Sequence, residues 1–294
     1  MKDVLFGLGL QYDDGVQSKV ALNAGHIAIE VHKSKHADTL HCRVGHCERL
    51  SVRWHASEQY DSGVTPAVAL NTRGLLVEVH KAENADHLYS RVGNIKGHTI
   101  EWGDSSKYDL GVTPDVAIND QGYIAEVHQS GGNSGLWCRV ARIENQTLRW
   151  SASQNYDTGH KPVVAMQQDG TIVAAHQSAA DDGKLLYRVG RINGTRIDWG
   201  YPVHYDNGLS PGVAITDDGF VIVVHQADNT PGKTTLQRCG RIHGTSIEWL
   251  GPSRYCSDGA APSVATNGAI AIQTHASATH ALRYSTAWVT DRIG

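Results

Sequence analysis

No apolar run in this 294-residue chain approaches the roughly 20 residues that a membrane-spanning helix needs, so the sequence offers no candidate span. Positive charge is not in excess either. A formal net charge of −4, with 19% charged residues, leaves no whole-protein field to draw nucleic acid or an anionic membrane surface. The opening residues 1–14 lack the apolar stretch and small-residue cleavage site of a secretory leader. Cysteine is sparse, and of Cys42, Cys47, Cys138, Cys239 and Cys256 only the first and third hold matching positions in the pattern described below. That excludes a disulfide scaffold as the expected source of stability. The expected location is therefore the cytoplasm, or the outside by a route without a signal peptide. Nucleophile-elbow, phosphate-loop and zinc-protease signatures are missing, as is any useful helical period.

What fills the chain is repetition. A Tyr recurs at Tyr12, Tyr60, Tyr108, Tyr156, Tyr205 and Tyr255, and a His at His32, His80, His128, His176, His225 and His275. Both series step by 48, 48, 48, 49 and 50 residues. Between them lie YDxGxxP-like elements, a short apolar run with an Ala at Ala21, Ala69, Ala117, Ala165, Ala214 and Ala265, a glycine turn, and a β-branched run ending at the His. A polar segment of variable length follows, then a third run such as LYSRVG, a tight turn, and a fourth run ending in Trp54, Trp102, Trp150, Trp199 or Trp249. Each unit thus reads as four short strands.

The terminal pieces complete one another. Residues 1–11 read as a fourth strand with Phe6 in the Trp position, and the sixth unit ends after its third strand. The prediction is an all-β fold, one domain over residues 1–294: a six-bladed β-propeller of four-stranded antiparallel blades, closed by the N-terminal strand joining the C-terminal blade.

Strand direction places the YDxGxxP elements and the ends of the second strands on one face. The turns of the opposite face are short and have little to bind with. The candidate binding residues are accordingly Tyr12, Asp13, His32, Tyr60, Asp61, His80, Tyr108, Asp109, His128, Tyr156, Asp157, His176, Tyr205, Asp206 and His225, with Tyr89, Trp137 and Tyr187 from the third strands. Two readings stand side by side. The His and Asp can be partly buried and bonded to each other as ties within the fold, and the Trp can pack between blades. The six YDxG glycines then mark positive φ. Alternatively, Tyr, Asp and His form shallow pockets whose hydroxyl partners and aromatic faces suit sugars. Glu30, Glu78 and Glu126 stand two residues before their His, but Ala174, Val223 and Gln273 replace them later. The first unit is rich in histidine, including His26, His36, His41, His46 and His55.

Such a design resembles the β-propeller lectins of bacteria and fungi, in which repeated blades each carry one sugar pocket. The resemblance spans the whole chain and implies multivalent carbohydrate binding, with glycans or glycoconjugates as partners. The fucose-binding six-bladed lectins set an Arg, a Glu and a Trp in each pocket. Here the Arg lies on strand three, and the residue before Trp is Glu101, Asp198 or Glu248 in three units and Arg53 or Arg149 in two. The expectation is a non-enzymatic binding protein with no catalytic residues, cofactor or metal ligands. The alternatives are a protein-interaction scaffold, and a glycan-acting enzyme using a pair such as His80 and Glu78.

Overall fold

A computed structural model describes residues 2–181, 183–227 and 234–291. Most of the variable segment after His225, residues 228–233, lies outside them. Among the described residues every regular element is a β-strand. The first repeat shows the common plan: Val16–Leu22, Ile27–Lys33, Thr39–Glu48 and Ser51–Trp54 pair in that order, each antiparallel to the last. The arrangement is a β-propeller of such sheets. Strand pairing groups the described residues into five sheets, because the 13-residue strand Gln154–Met166 runs through two repeats and fuses them into one sheet of nine strands.

The outer strand departs from the sequence reading. The Tyr-Asp element was expected as a connection, but Glu58–Ser62 pairs with Thr39–Glu48 of its own sheet, beside Ser51–Trp54. A ten-residue third strand exposes more backbone groups than a four-residue partner can satisfy. The chain breaks after Trp54, shifts register and returns to fill the rest of the ladder.

Burial explains why the sheets sit face to face. The buried apolar side chains form six clusters, and each draws on two consecutive repeats. One of them joins Ile270 and Ile272 to Val20, Leu22 and Ala28, so the sixth repeat packs on the first. The closing strand is where the sequence placed it: Lys2–Val4 pairs with Ala281–Asp291, and Leu10–Asp14 continues along the same strand. Val4 is fully buried, and Phe6 packs against the cluster that also holds Phe220 and Ala287.

Strand one bulges at the same point in every repeat, as between Val64 and Ala67 or Val112 and Asp115. The residue responsible has a left-handed backbone each time: Gln17, Thr65, Thr113, Lys161, Ser210 and Ala261, with φ between 48° and 57°. Non-glycine residues adopt this conformation at a cost of about 1–3 kcal/mol each. The bulges ring the mouth of a 270 Å³ funnel lined also by Pro66, Pro114, Pro162 and Pro211. Deeper along the same strands, Lys19 Nζ meets Asp115 Oδ1 at 3.1 Å, pairing the first and third repeats.

Candidate functional site

The repeated Tyr, Asp and His meet as expected, but they turn to one another rather than to solvent. In the second repeat, buried His80 donates from Nδ1 to the carboxyl of Glu78 at 3.1 Å. Tyr60, arriving on the outer strand of the first repeat, donates its hydroxyl to Glu78 Oε1 at 2.9 Å. Asp61 from that same outer strand pairs with Arg91, whose guanidinium also donates to the Tyr60 carbonyl at 3.1 Å. The next junction repeats the pattern: Tyr108 to Glu126 at 2.9 Å, His128 to Glu126 at 3.0 Å, Arg139 to Asp109 at 3.0 Å. Asp13 pairs with Arg43 at 2.7 Å and Asp157 with Arg188 at 2.8 Å, while Asp206 accepts from Ser253. Five of the six repeated Tyr rings stack on the Trp of the following repeat, from Tyr12 on Trp54 at 5.2 Å to Tyr205 on Trp249 at 5.3 Å, while Tyr255 is exposed.

These residues are largely engaged with one another at the junctions instead of opening onto a shared face. His32, His80, His128, His176 and His225 are all at most 3% exposed, and Tyr156 and Tyr205 are buried as well. A low-dielectric junction rewards a polar network whose members satisfy one another, which fixes how the sheets pack. The YDxG glycines serve the same junction by their lack of a side chain. A Cβ on Gly111 would lie 2.5 Å from the His128 ring and 2.7 Å from the Gln129 carbonyl oxygen. Close approach, rather than the expected positive φ, is the common requirement, because only Gly63 and Gly208 of that series have φ in the positive range.

Third-strand aromatics divide by register. Tyr89 pairs across from His80 and Trp137 from His128, so both stand on the histidine's side of the sheet, and Tyr89 stacks on His80 at 5.7 Å. In the fourth repeat Leu186 holds that position opposite His176, and Tyr187 falls one residue later, opposite Ala175. A one-residue offset reverses the face. Tyr187 is 1% exposed and its hydroxyl accepts the Ile247 N–H at 2.9 Å, so it belongs to the core and not to a pocket.

Loss of the glutamate after the third repeat has an electrostatic consequence. Burial lowers the affinity of His80 for a proton, yet the charge and hydrogen bond of Glu78 outweigh it and hold the imidazole above its ordinary value of 6.5. His32 and His128 behave alike beside Glu30 and Glu126. With Ala174 or Val223 in place of the carboxyl, burial prevails and pushes His176 and His225 down to about 4. The hydroxyls of Tyr156 and Tyr205 lose the same partner and have no hydrogen bond. Replacing Glu78 with Ala should therefore bring His80 to the level of His176, a fall of more than 2 units from 6.5 that proton NMR titration reads directly. The same change should cost about 3 kcal/mol near pH 6, since one partner of a buried pair is removed. An unmoved His80 titration would show that the carboxyl does not set its charge.

Open space lies elsewhere at the junctions. Between the second and third repeats a polar cleft of about 400 Å³ is lined by Ser90, Arg91, Gly103, Asp104, Ser106, Lys107 and Tyr108 on one side. Asn145, Gln146, Thr147, Leu148 and Trp150 form the other. Trp150 is held in place by its indole N–H, which donates to Ser90 Oγ at 3.2 Å across the junction, and by stacking on Tyr108 at 4.7 Å. Tyr108 alone of the residues singled out from sequence lines this cleft. Asn145 and Gln146 were missed because they sit in a turn on the side expected to bind nothing, and the rest because they come from two different repeats. Both turn residues have positive φ without being glycine, at 50° and 60°, and Asn145 stands where three other repeats carry Gly97, Gly194 and Gly244. A smaller cleft of about 100 Å³ lies where Lys2 and Asp3 approach Leu250, Pro252 and Arg254.

Among known proteins, no family model matches the chain, and no curated relative matches it. Solved structures match in shape. Aleuria aurantia lectin, as a mutant bound to Fucα1-6GlcNAc, superposes with a TM-score of 0.65 at 11% identity over 93% of each chain. A second structure of that lectin, described as a six-bladed β-propeller with a novel fucose recognition mode, gives 0.61 at 11% identity, again over 93% of each chain. A Hadza microbial sialidase gives 0.66 at 8% identity over 96% of this chain and 68% of its own. Penicillium chrysogenum α-L-arabinanase gives 0.61 at 11% identity over 97% and 98%. The shape is shared by lectins and glycosidases. The expectation of a non-enzyme is corrected on that ground: a sialidase, an arabinanase and an arabinofuranosidase share the shape, so the fold does not exclude catalysis.

Proposed function

We propose that the chain is a carbohydrate-binding protein, a single six-bladed propeller whose sugar positions are the clefts between neighbouring blades. The observation that carries this reading is the cleft between the second and third repeats. An indole and a phenol form its wall, and amide, hydroxyl, carboxylate and cationic groups converge on the space beside them. A pyranose presents an apolar C–H face and a rim of hydroxyls, and this combination answers both. Its volume of about 400 Å³ lies in the usual range for a small-ligand pocket. The likeness to a fucose-binding propeller lectin supports the reading at the level of the fold. Junctions differ in their turn residues, so the sites differ in strength, and clustered glycans bind through several weak contacts on one chain.

Glycan-array binding followed by calorimetry with the sugars it selects tests the proposal. Trp150→Ala should weaken the calorimetric affinity of this cleft at least about tenfold, the loss of a buried stacking face being worth roughly 1–3 kcal/mol. Binding to dense arrays should fall less, because other junctions remain. A flat array together with silent calorimetry against simple sugars would end the reading.

A further inference from the structure

Three histidines outside the repeat pattern converge at the junction of the first and second repeats. His46 lies on Thr39–Glu48, His55 directly follows Ser51–Trp54, and His98 sits in the turn before Thr99–Trp102 of the next sheet. The His55 and His98 rings stack with centroids 3.8 Å apart, and His46 stands edge-on to them at 5.4 and 5.7 Å. One nitrogen from each ring falls within 4.8 Å of the other two. His46 Nδ1 and His55 Nε2 are shielded from solvent and make no hydrogen bond. A shielded imidazole nitrogen without a partner costs about 1–3 kcal/mol, so two such groups within one cluster of three rings ask for a partner.

The repeat supplies an internal control. Equivalent positions at the second junction are Asn94, Gly103 and Gln146, the last two bordering the polar cleft, and at the fourth they are Arg191, Gly200 and Thr245. A Cβ on Gly200 would lie 2.8 Å from Thr245 Cβ, so the fold brings these positions together wherever the pattern occurs. Of these three junctions, only the first supplies three imidazoles.

We propose that His46, His55 and His98 form a binding site for a divalent transition ion of the zinc class that clamps the first repeat to the second. Imidazole nitrogens are the donors such ions take, and three of them leave a fourth position for water or an incoming ligand. Tetrahedral bonds of 2.0–2.1 Å place donor atoms about 3.4 Å apart. The 4.8 Å spread closes by side-chain rotation, helped by the exposed turn that carries His98. The expectation of no metal ligands thus yields to a site assembled across two repeats. The proposal is independent of sugar binding.

The test uses the full chain freed of metal by a chelator. Calorimetric titration with Zn²⁺ should give one ion per chain in the micromolar range, and Co²⁺ should give the visible absorption of a tetrahedral complex. Zn²⁺ should raise Tm by several degrees, because an ion that binds only the folded state stabilises it. His98→Asn, at an exposed turn, should fold as the parent does, lose at least about tenfold in affinity, and lose the Tm increase. His55→Gly, which borrows the residue of the second repeat, should do the same. Absence of the Co²⁺ band with Zn²⁺ binding weaker than millimolar would overturn the proposal. So would unchanged affinity in both variants, which would place the ion on others of the 17 histidines.

Discussion

Removing residues 1–11 should abolish soluble, monomeric protein. This segment buries Val4 completely, packs a half-buried Phe6 against the cluster of the fifth and sixth repeats, and pairs with Ala281–Asp291. It also sets Asp3 against Arg254 and lends the Gly9 carbonyl to Arg283. Burial of the two apolar side chains is worth up to about 3 kcal/mol each, and the lost ladder exposes a strand edge beside an apolar surface. The total approaches the 5–15 kcal/mol that separates a typical folded domain from its unfolded chain. Val4→Asp, which puts an unpaired charge at the same place, should lower Tm by about 5 °C or more at a cost of about 3 kcal/mol or more. A truncated chain that stays monomeric in sedimentation, with Tm within a few degrees of the parent, would refute closure by this strand.

Much of this architecture was legible because period and alternation are properties of the sequence. The recurrent Tyr and His set the repeat, the β-branched runs set the strands, and a lone fourth strand at the start announced the closing pair. The outer strand was misread because its break depends on how long a partner strand three requires, a fact about pairing that no single run contains. Tyr187 was misplaced for a related reason: one residue fewer before the fourth arginine moves the aromatic to the other face, and only the pairing of Leu186 with His176 reveals it.

The candidate site was less legible than the fold. Tyr, Asp and His recur at the junctions, tied through Glu78 and Glu126 in the second and third repeats and packed without that carboxyl in the fourth and fifth, so the strongest repeated signal falls on groups that face one another. The cleft and the histidine cluster arise where repeats differ, at Asn145, Gln146, His46, His55 and His98. In a repeat protein the positions that break the pattern carry individuality, and their neighbours belong to the next unit, about 48 residues away. Proximity of that kind is set by the packing of sheets.

The same difference between repeats should appear in the pH dependence of stability. His176, His225 and His275 have folded values pushed down to about 4, by burial first and then by the nearby charges of Arg188, Arg238 and Arg283 respectively. An unfolded histidine titrates near 6.5. Between those values the unfolded chain binds protons that the folded chain refuses, so stability falls as pH drops from 6.5 toward 4. Each of these groups contributes about 1.4 kcal/mol per pH unit through that window, about 3 kcal/mol in full. His32, His80 and His128 are raised, so they are protonated in both states across it and add nothing. Their effect lies above pH 6.5, where the folded state keeps protons the unfolded state has released and stability declines as pH rises through their folded values. Stability should therefore peak near pH 6.5, with the acid limb governed by the last three repeats and the alkaline limb by the first three. Urea midpoints from pH 4.5 to 8 measure both limbs. His225→Gln should remove about one third of the acid slope and leave the alkaline limb unchanged, while Glu78→Ala should flatten the alkaline limb and steepen the acid one. A stability curve level from pH 6.5 to 5 would show that these buried imidazoles do not resist protonation.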